Sequence, residues 1–296
     1  MAKIDLHIHS NYSNDGEFSP AELIDLSLQA GLTHAALADH NSVRGVREAI
    51  EAADGTSLAI IPGIEMDCVF DGVNLHLLGY GIDHFAPIFD EIEADIHKQE
   101  QDCSGQLVQL VRRMGIEFDD ELIEDLASDG VVTGEMIAET ALLYDRDAKN
   151  PLLDPYRGDG ARSDNPYVNF YWDYCSQGKP VYTPMTFMSL LQANDLIQSQ
   201  NGVSVLAHPG INVREDPELL EGIIAAGVAG IEVYSSYHSP AQVKFYKDAA
   251  LSHDLLLTCG SDFHGKTKPS IMIGSTECEG QERQIISNLI QKMGDN

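Results

Sequence analysis

Seven short apolar segments alternate with stretches of helical periodicity, and that alternation restricts the chain to an α/β architecture. The segments are Lys3–Ile8, His34–Ala38, Leu58–Glu65, Asn74–Tyr80, Val203–Ala207, Gly230–Tyr234 and Leu256–Gly260. Most are buried runs, rich in β-branched or apolar residues, rather than clean alternations, the pattern of parallel strands covered on both faces. Helical patterns lie between them. Ser19-Pro20-Ala21-Glu22 reads as an N-cap followed by proline, then an apolar face through Leu23, Leu26, Leu28 and Ala30 and a stop at Gly31. Asn41 to Ala53, Pro217 to Ala226 and Ser239 to Ser252 look similar. Repeated strand–helix units predict a TIM-like (β/α) barrel, and seven strands in place of eight predict a distorted one.

The beat breaks between about 85 and 202. Helical segments run from Ala86 to Met114 and from Asp119 to Leu126, and the stretch from Asp145 to Asn169 is dense in Asp, Gly, Pro, Asn and Arg without periodicity. An insertion of this length after the fourth strand predicts a mostly helical cap over the barrel mouth. The expected division is a barrel from 1–85 and 200–296 and a cap from 86–199.

Polar residues gather at the ends of the predicted strands. The first ends in His7 and His9, whose i, i+2 spacing puts both imidazoles on one face, and Asp15 follows in the loop. The second ends Ala38-Asp39-His40, the third Gly63-Ile64-Glu65, and the fourth carries His76. The fifth ends Ala207-His208-Pro209, and the seventh ends Ser261-Asp262-Phe263-His264, again with i, i+2 spacing. In α/β barrels the strand C-termini build the active-site face, so these side chains converge by topology. Each has a plain structural alternative taken singly: His76 as a core histidine, Glu65 as a buried acid, Asp15 as a turn former. Six histidines and three carboxylates on one face are beyond that account. They exceed what one open catalytic ion takes and suit two or three ions sharing carboxylates. Imidazole and carboxylate donors without cysteine favour Mn²⁺, with Fe or Zn²⁺ as alternatives. Asp39 is expected to orient a ligand or a loop.

Composition narrows the chemistry. With 47 acidic and 18 basic residues the formal charge is −29, which disfavours nucleic acid as a stable partner. No run of 18 apolar residues and no basic–apolar leader is present, so neither a membrane span nor a signal peptide is expected. Five cysteines (Cys68, Cys103, Cys175, Cys259, Cys278) show no paired spacing, which points to a reducing, cytoplasmic setting without disulfides.

As a set, Asp-Leu-His-Ile-His-Ser, Ala-Asp-His-Asn, Pro-Gly-Ile-Glu, the single His76, Ala-His-Pro-Gly and Gly-Ser-Asp-Phe-His-Gly resemble the PHP (polymerase and histidinol phosphatase) superfamily of metal-dependent phosphoesterases. The match covers about 1–85 and 200–275, and the insertion looks like that of the small-molecule phosphatase branch. The resemblance implies a trinuclear site. One metal takes His7, His9, Glu65 and Asp262; a second shares Glu65 and adds His76 and His208; the third takes Asp15, His40 and His264. It also implies a small phosphorylated substrate hydrolysed by a metal-bridging hydroxide, with Asp262 or His238 moving the proton. Two departures lie in the cap. Where relatives tend to have a Gly-Arg-Pro-His-like turn, this chain has Thr133-Gly134-Glu135-Met136, and Tyr182-Thr183-Pro184 is followed by Met185 in place of a basic residue. Arg157, Arg162 and Lys179, with His238, are the expected substitutes for these substrate contacts. A cyclic phosphate of ribose type is the leading variation on a phosphomonoester. A metal-dependent amidohydrolase and an exonuclease are the competing classes; the missing lysine in the fourth strand opposes the first, and the acidic balance opposes the second.

Overall fold

The computed structural model describes residues 3–127 and 129–294. Eight strands form: β1 Ile4–Ile8, β2 His34–Leu37, β3 Ala59–Phe70, β4 Val73–Tyr80, β5 Met188–Ser189, β6 Val203–Leu206, β7 Gly230–Ser235 and β8 Leu256–Gly260. Seven of them run in the order β1-β2-β3-β4-β6-β7-β8, and the two-residue β5 pairs with β3. The ring is drawn nearly shut between its ends. Ile8 bridges Phe263 in parallel, Asp262 N–H donates to the His7 carbonyl at 2.8 Å, and His9 N–H donates to the Phe263 carbonyl at 3.0 Å. The buried carboxylate of Asp5 adds a tie, accepting the backbone N–H groups of Ser261 at 2.8 Å and Gly274 at 2.7 Å. The distorted seven-stranded α/β barrel is the architecture.

The distortion has an identifiable origin. β3 and β4 form an antiparallel hairpin, and β4 is antiparallel to β6 as well, while the remaining neighbours in the ring are parallel. The hairpin turns on Asp71 and Gly72, at φ of 48° and 77°. Two successive positive φ values match the twist of the flanking strands. The parallel pairing expected of most strands is corrected at β4. A hairpin needs only a two-residue turn, whereas a parallel return needs a long crossover, so β3 and β4, separated by Asp71 and Gly72 alone, pair antiparallel. β3 accordingly runs on to Phe70, beyond the end expected at Glu65. His76 is presented by the first half of β4, not by a C-terminal end.

Helices pack outside the ring. Pro20–Gln29 starts with a capping box, Ser19 Oγ accepting the Glu22 N–H and the Glu22 side chain accepting the Ser19 N–H. The helix Pro87–Arg113 is the link to the insertion: Phe89 near its start lies in the barrel core, while Leu107 and Val111 join a second apolar cluster. That cluster also holds Phe118, Ile137, Leu153, Phe170 and Val181. The helix Gly134–Tyr144 within it, and Leu190–Ser199 and Glu282–Gly294 elsewhere, were not read from the sequence. Leu190, Ala193 and Ile197 pack in the barrel core. Among the described residues no helix is long and apolar enough to cross a membrane. The expectation of unpaired cysteines is corrected in one instance. Cys259, in β8, and Cys278, in the segment before the last helix, are joined as a disulfide across 19 residues, a pairing set by packing that spacing does not reveal.

Candidate metal centre

One carboxylate organises the site. Glu65, fully buried in β3, lies against five imidazoles. Its Oε2 is 3.1 Å from His7 Nε2, 3.2 Å from His9 Nε2 and 3.2 Å from His40 Nδ1. Its Oε1 is 2.9 Å from His76 Nδ1 and 3.0 Å from His208 Nε2. Asp262 forms a second pole at the end of β8, with φ of 58° in the left-handed region that non-glycine residues seldom adopt. Its Oδ1 faces His9 Nε2 at 3.1 Å and His7 Nε2 at 3.5 Å. His264 Nδ1–H donates to the Asp262 carbonyl at 2.9 Å, and its Nε2 lies 3.2 Å from Asp15 Oδ2. All nine residues named as ligands are thus drawn into one connected cluster.

Further residues set the orientation of the imidazoles. Glu232, buried in β7, lies 3.0 Å from His7 Nδ1 and also accepts the His208 backbone N–H at 2.8 Å. His9 Nδ1 contacts Ser13 Oγ at 3.1 Å, and Ser13 donates to Asp39 at 3.0 Å. Asp39 also takes the N–H and hydroxyl of Ser10 at 2.6 and 2.7 Å, so it ties down the loop after β1 and, through Ser13, the His9 ring. Asp67, paired with His76 across the β3–β4 hairpin, holds its Nε2 at 3.1 Å. Such outer contacts fix which ring nitrogen is left free.

Several polar atoms of the cluster have no hydrogen-bond partner. His7 Nε2, His9 Nε2, His264 Nε2, Glu65 Oε2, Asp262 Oδ1 and Asp15 Oδ1 are buried without a hydrogen-bond partner. Buried polar atoms are normally satisfied. Three groups of donor atoms lie within 4.8 Å of one another: His7, His9, Glu65 and Asp262; His40, Glu65 and His76; His9, His40 and His264. Mixed imidazole and carboxylate donors at that spacing fit divalent cations. Burial pushes the Glu65 carboxyl up, but the surrounding His7, His76 and His40 more than reverse it and hold it well below the usual range. Burial, then the neighbouring His264 and His40, push His9 down to about 3, so it stays neutral and able to ligate at neutral pH.

Above the cluster lies a cavity of about 480 Å³ between the barrel mouth and the insertion. Asp15, His40, His76, His208, Asp262 and Lys268 line it from the barrel, and Glu100, Glu135, Tyr171, Trp172 and Tyr182 from the other side. Arg157, Arg162, Lys179 and His238, expected as substrate contacts, are not among its lining residues. Arg157 is bound to Asp145 at 3.0 Å and Arg162 to Asp173 at 3.0 and 3.1 Å, and Lys179 is exposed. His238 accepts the Gly210 N–H at Nε2 (3.0 Å) and donates from Nδ1 to the Val233 carbonyl (2.9 Å), leaving no ring nitrogen for a substrate. Lys268, which lines the cavity, and Tyr237, which does not, each lie 2.6 Å from Asp262 Oδ2, and neither was singled out in the sequence.

Comparison with known proteins agrees with this geometry. The PHP domain family model matches residues 5–135. A 3',5'-nucleoside bisphosphate phosphatase from Chromobacterium violaceum is 32% identical over 286 residues, 94% of this chain and 92% of that protein. The chain belongs to the PHP family. Two other relatives, a 5'-3' exoribonuclease of Escherichia coli (25% identical, 88% of this chain and 84% of that one) and a phosphoribosyl 1,2-cyclic phosphate 1,2-diphosphodiesterase of Eggerthella lenta (26%, 88% and 94%), are similar over most of their length. The crystal structure of a putative metal-dependent phosphoesterase from Bifidobacterium adolescentis superposes with a TM-score of 0.76 at 25% identity, covering 98% of this chain and 96% of that one.

Proposed function

We propose that this PHP protein is a metal-dependent phosphoesterase that hydrolyses a small phosphorylated metabolite, a nucleotide or sugar phosphomonoester, at the barrel mouth. The observation that carries the reading is the ring of unpartnered imidazole and carboxylate atoms around Glu65 and Asp262 beneath the cavity at the barrel mouth. His7, His9, Glu65 and Asp262 would hold one divalent ion; His76 and His208 with Glu65, and Asp15 with His40 and His264, would hold two more. Mn²⁺ suits this donor set, with Fe or Zn²⁺ as alternatives. Bound ions of this kind supply Lewis acidity and lower the pKa of coordinated water. The chain's own part is positional. Glu232 and Ser13 keep His7 Nε2 and His9 Nε2 free, and Tyr237 anchors one oxygen of Asp262. Segment 86–199 acts as the cap whose side chains close off water and select the organic half. Cytoplasmic residence belongs to the same reading: Cys68, Cys103 and Cys175 are free, while the Cys259–Cys278 disulfide weighs on the other side.

A second reading, sequential cleavage of a cyclic phosphate, is favoured by the Eggerthella lenta relative. The test is release of inorganic phosphate by Mn²⁺-reconstituted protein from sugar, nucleotide and cyclic phosphates, with a 5'-phosphorylated oligoribonucleotide alongside. Release from monoesters alone supports the first reading and release from a cyclic ester the second. Mononucleotides appearing from the oligoribonucleotide, with no phosphate from small esters, would overturn both.

A further inference from the structure

Among the described residues Lys268 is the only lysine or arginine that is buried, at 4% exposure. Its ammonium lies 2.6 Å from Asp262 Oδ2 and 5.5 Å from the centre of the Tyr237 ring, and it lines the cavity. The backbone beneath it is pinned: Lys268 N–H donates to the Gly265 carbonyl at 3.0 Å, and its own carbonyl accepts the Ile271 N–H at 3.0 Å. Burying an ammonium is unfavourable unless opposite charge compensates it. Here the compensation comes from a carboxylate whose other oxygen faces His9 and His7. An ammonium carries three donors in all, and Asp262 and the Tyr237 ring do not use them up.

The rest of the cavity wall explains why a fixed cation is needed there. Its residues from 97 to 187 include Glu100 and Glu135 and no lysine or arginine. The other basic residue in the lining, Arg214, is exposed, with its Nε–H donated to the Ile211 carbonyl at 3.0 Å. Arginine-free on the insertion side, the cavity has one buried positive charge, and it is rooted in the barrel.

We propose that Lys268 binds a phosphoryl oxygen of the substrate, performing from the barrel side the task that a basic residue in the insertion would perform. The inference rests on the phosphoesterase reading. A lysine acts as a compact point charge without a bidentate demand, so Lys268 grips a single phosphoryl group beside Asp262. The wall carrying Glu100, Glu135, Tyr171 and Trp172 is left to the organic half. A second phosphate there would meet carboxyl groups with no buried cation.

The experiment uses full-length Mn²⁺-reconstituted protein with three readouts: metal content by elemental analysis, affinity for inorganic phosphate by calorimetry, and phosphate release. Lys268→Met is expected to keep its metal, to bind phosphate about tenfold or more weakly, and to lose roughly 10²-fold in kcat/KM. Lys268→Arg is expected to recover part of the phosphate affinity. Lys268→Gln serves the same comparison if the methionine variant does not fold. Wild-type phosphate affinity in Lys268→Met overturns the inference. So does loss of metal together with affinity, which would make Lys268 a positioning residue for Asp262. Loss of phosphate affinity in Arg214→Ala but not in Lys268→Met overturns it as well. Lys268-dependent phosphate binding without hydrolysis of any ester would sink the phosphoesterase reading and leave the inference standing. Turnover indifferent to Lys268 would do the reverse.

Discussion

Glu232 Oε1 stands 3.0 Å from Nδ1 of His7, and neither side chain has any exposure to solvent. The pair turns the other ring nitrogen toward Glu65 and Asp262. Because the second oxygen of Glu232 accepts the His208 N–H, one carboxylate from β7 braces two residues of the cluster. Glu232→Gln keeps the size but weakens the hold on His7. Mn²⁺ affinity is expected to fall about 10–100-fold, the usual effect of losing such a contact. Titration of the metal-free protein with Mn²⁺ reads this directly, and an unchanged affinity would remove Glu232 from the site.

A neighbouring glycine is tied to the same pair. A Cβ built on Gly260 would run into Cβ of His7 and Oε1 of Glu232. Gly260→Ala is therefore expected to push His7 off its position and to cost about 1–3 kcal/mol of stability through overpacking. Urea unfolding of the metal-free protein checks the stability, and Mn²⁺ titration checks the displacement.

Glu65 should govern how metal stabilises the fold. Adding Mn²⁺ at about 100 times its Kd is expected to stabilise the wild type by about 2.7 kcal/mol per site, seen as a rise in Tm. Glu65→Ala removes the acceptor shared by five imidazoles and should abolish both the rise and the activity. A Tm that still climbs with Mn²⁺ in Glu65→Ala would relocate the ion.

Glu100 gives a pH signature. Burial first, then the nearby Asp67, push its carboxyl up to about 8, although the Asn14 amide, 2.8 Å away, pulls the other way. Its folded value thus lies above the ordinary 4.5. The folded state binds the extra proton between these values, so the group's contribution is full below about 4.5 and is lost as pH rises through about 8. Glu100→Gln cannot titrate and should gain on the wild type over that window, by a few kcal/mol, on the order of 1.4 kcal/mol per pKa unit of the rise. Parallel urea curves at pH 5 and pH 9 for metal-free proteins measure the difference, and a constant gap would contradict the assignment.

The convergence of the nine residues of the cluster was legible because strand geometry prints itself on sequence. His7 and His9 share a face at a spacing of two, and strand ends converge in any barrel, whereas Asp262 and His264 lie past the end of β8 and are placed by a left-handed turn at Asp262. The antiparallel β4 was not legible, since a buried run reads alike in either direction. Glu232 left a trace, an acid inside the apolar run Gly-Ile-Glu-Val-Tyr, that went unused. Lys268 left none. Lys266, two residues before it, is exposed and pairs with Glu139, and only packing separates the two. Arg157 and Arg162 misled for the converse reason: their carboxylate partners, Asp145 and Asp173, are set by the tertiary fold of the insertion.

The β3–β4 hairpin divides the cluster into two histories. Glu65 and His76 lie 11 residues apart and meet across a tight turn, at little loop-closure cost. The contacts that bring β1 to the end of β8, such as Ser261 to Asp5, span 256 residues and wait for the ring to close. In contact-order terms one half of the site is local and the other is among the most distant pairings the chain makes. A cation shared by the two halves would fasten the first strand to the last, and the chemistry would become available only to a chain that has finished folding.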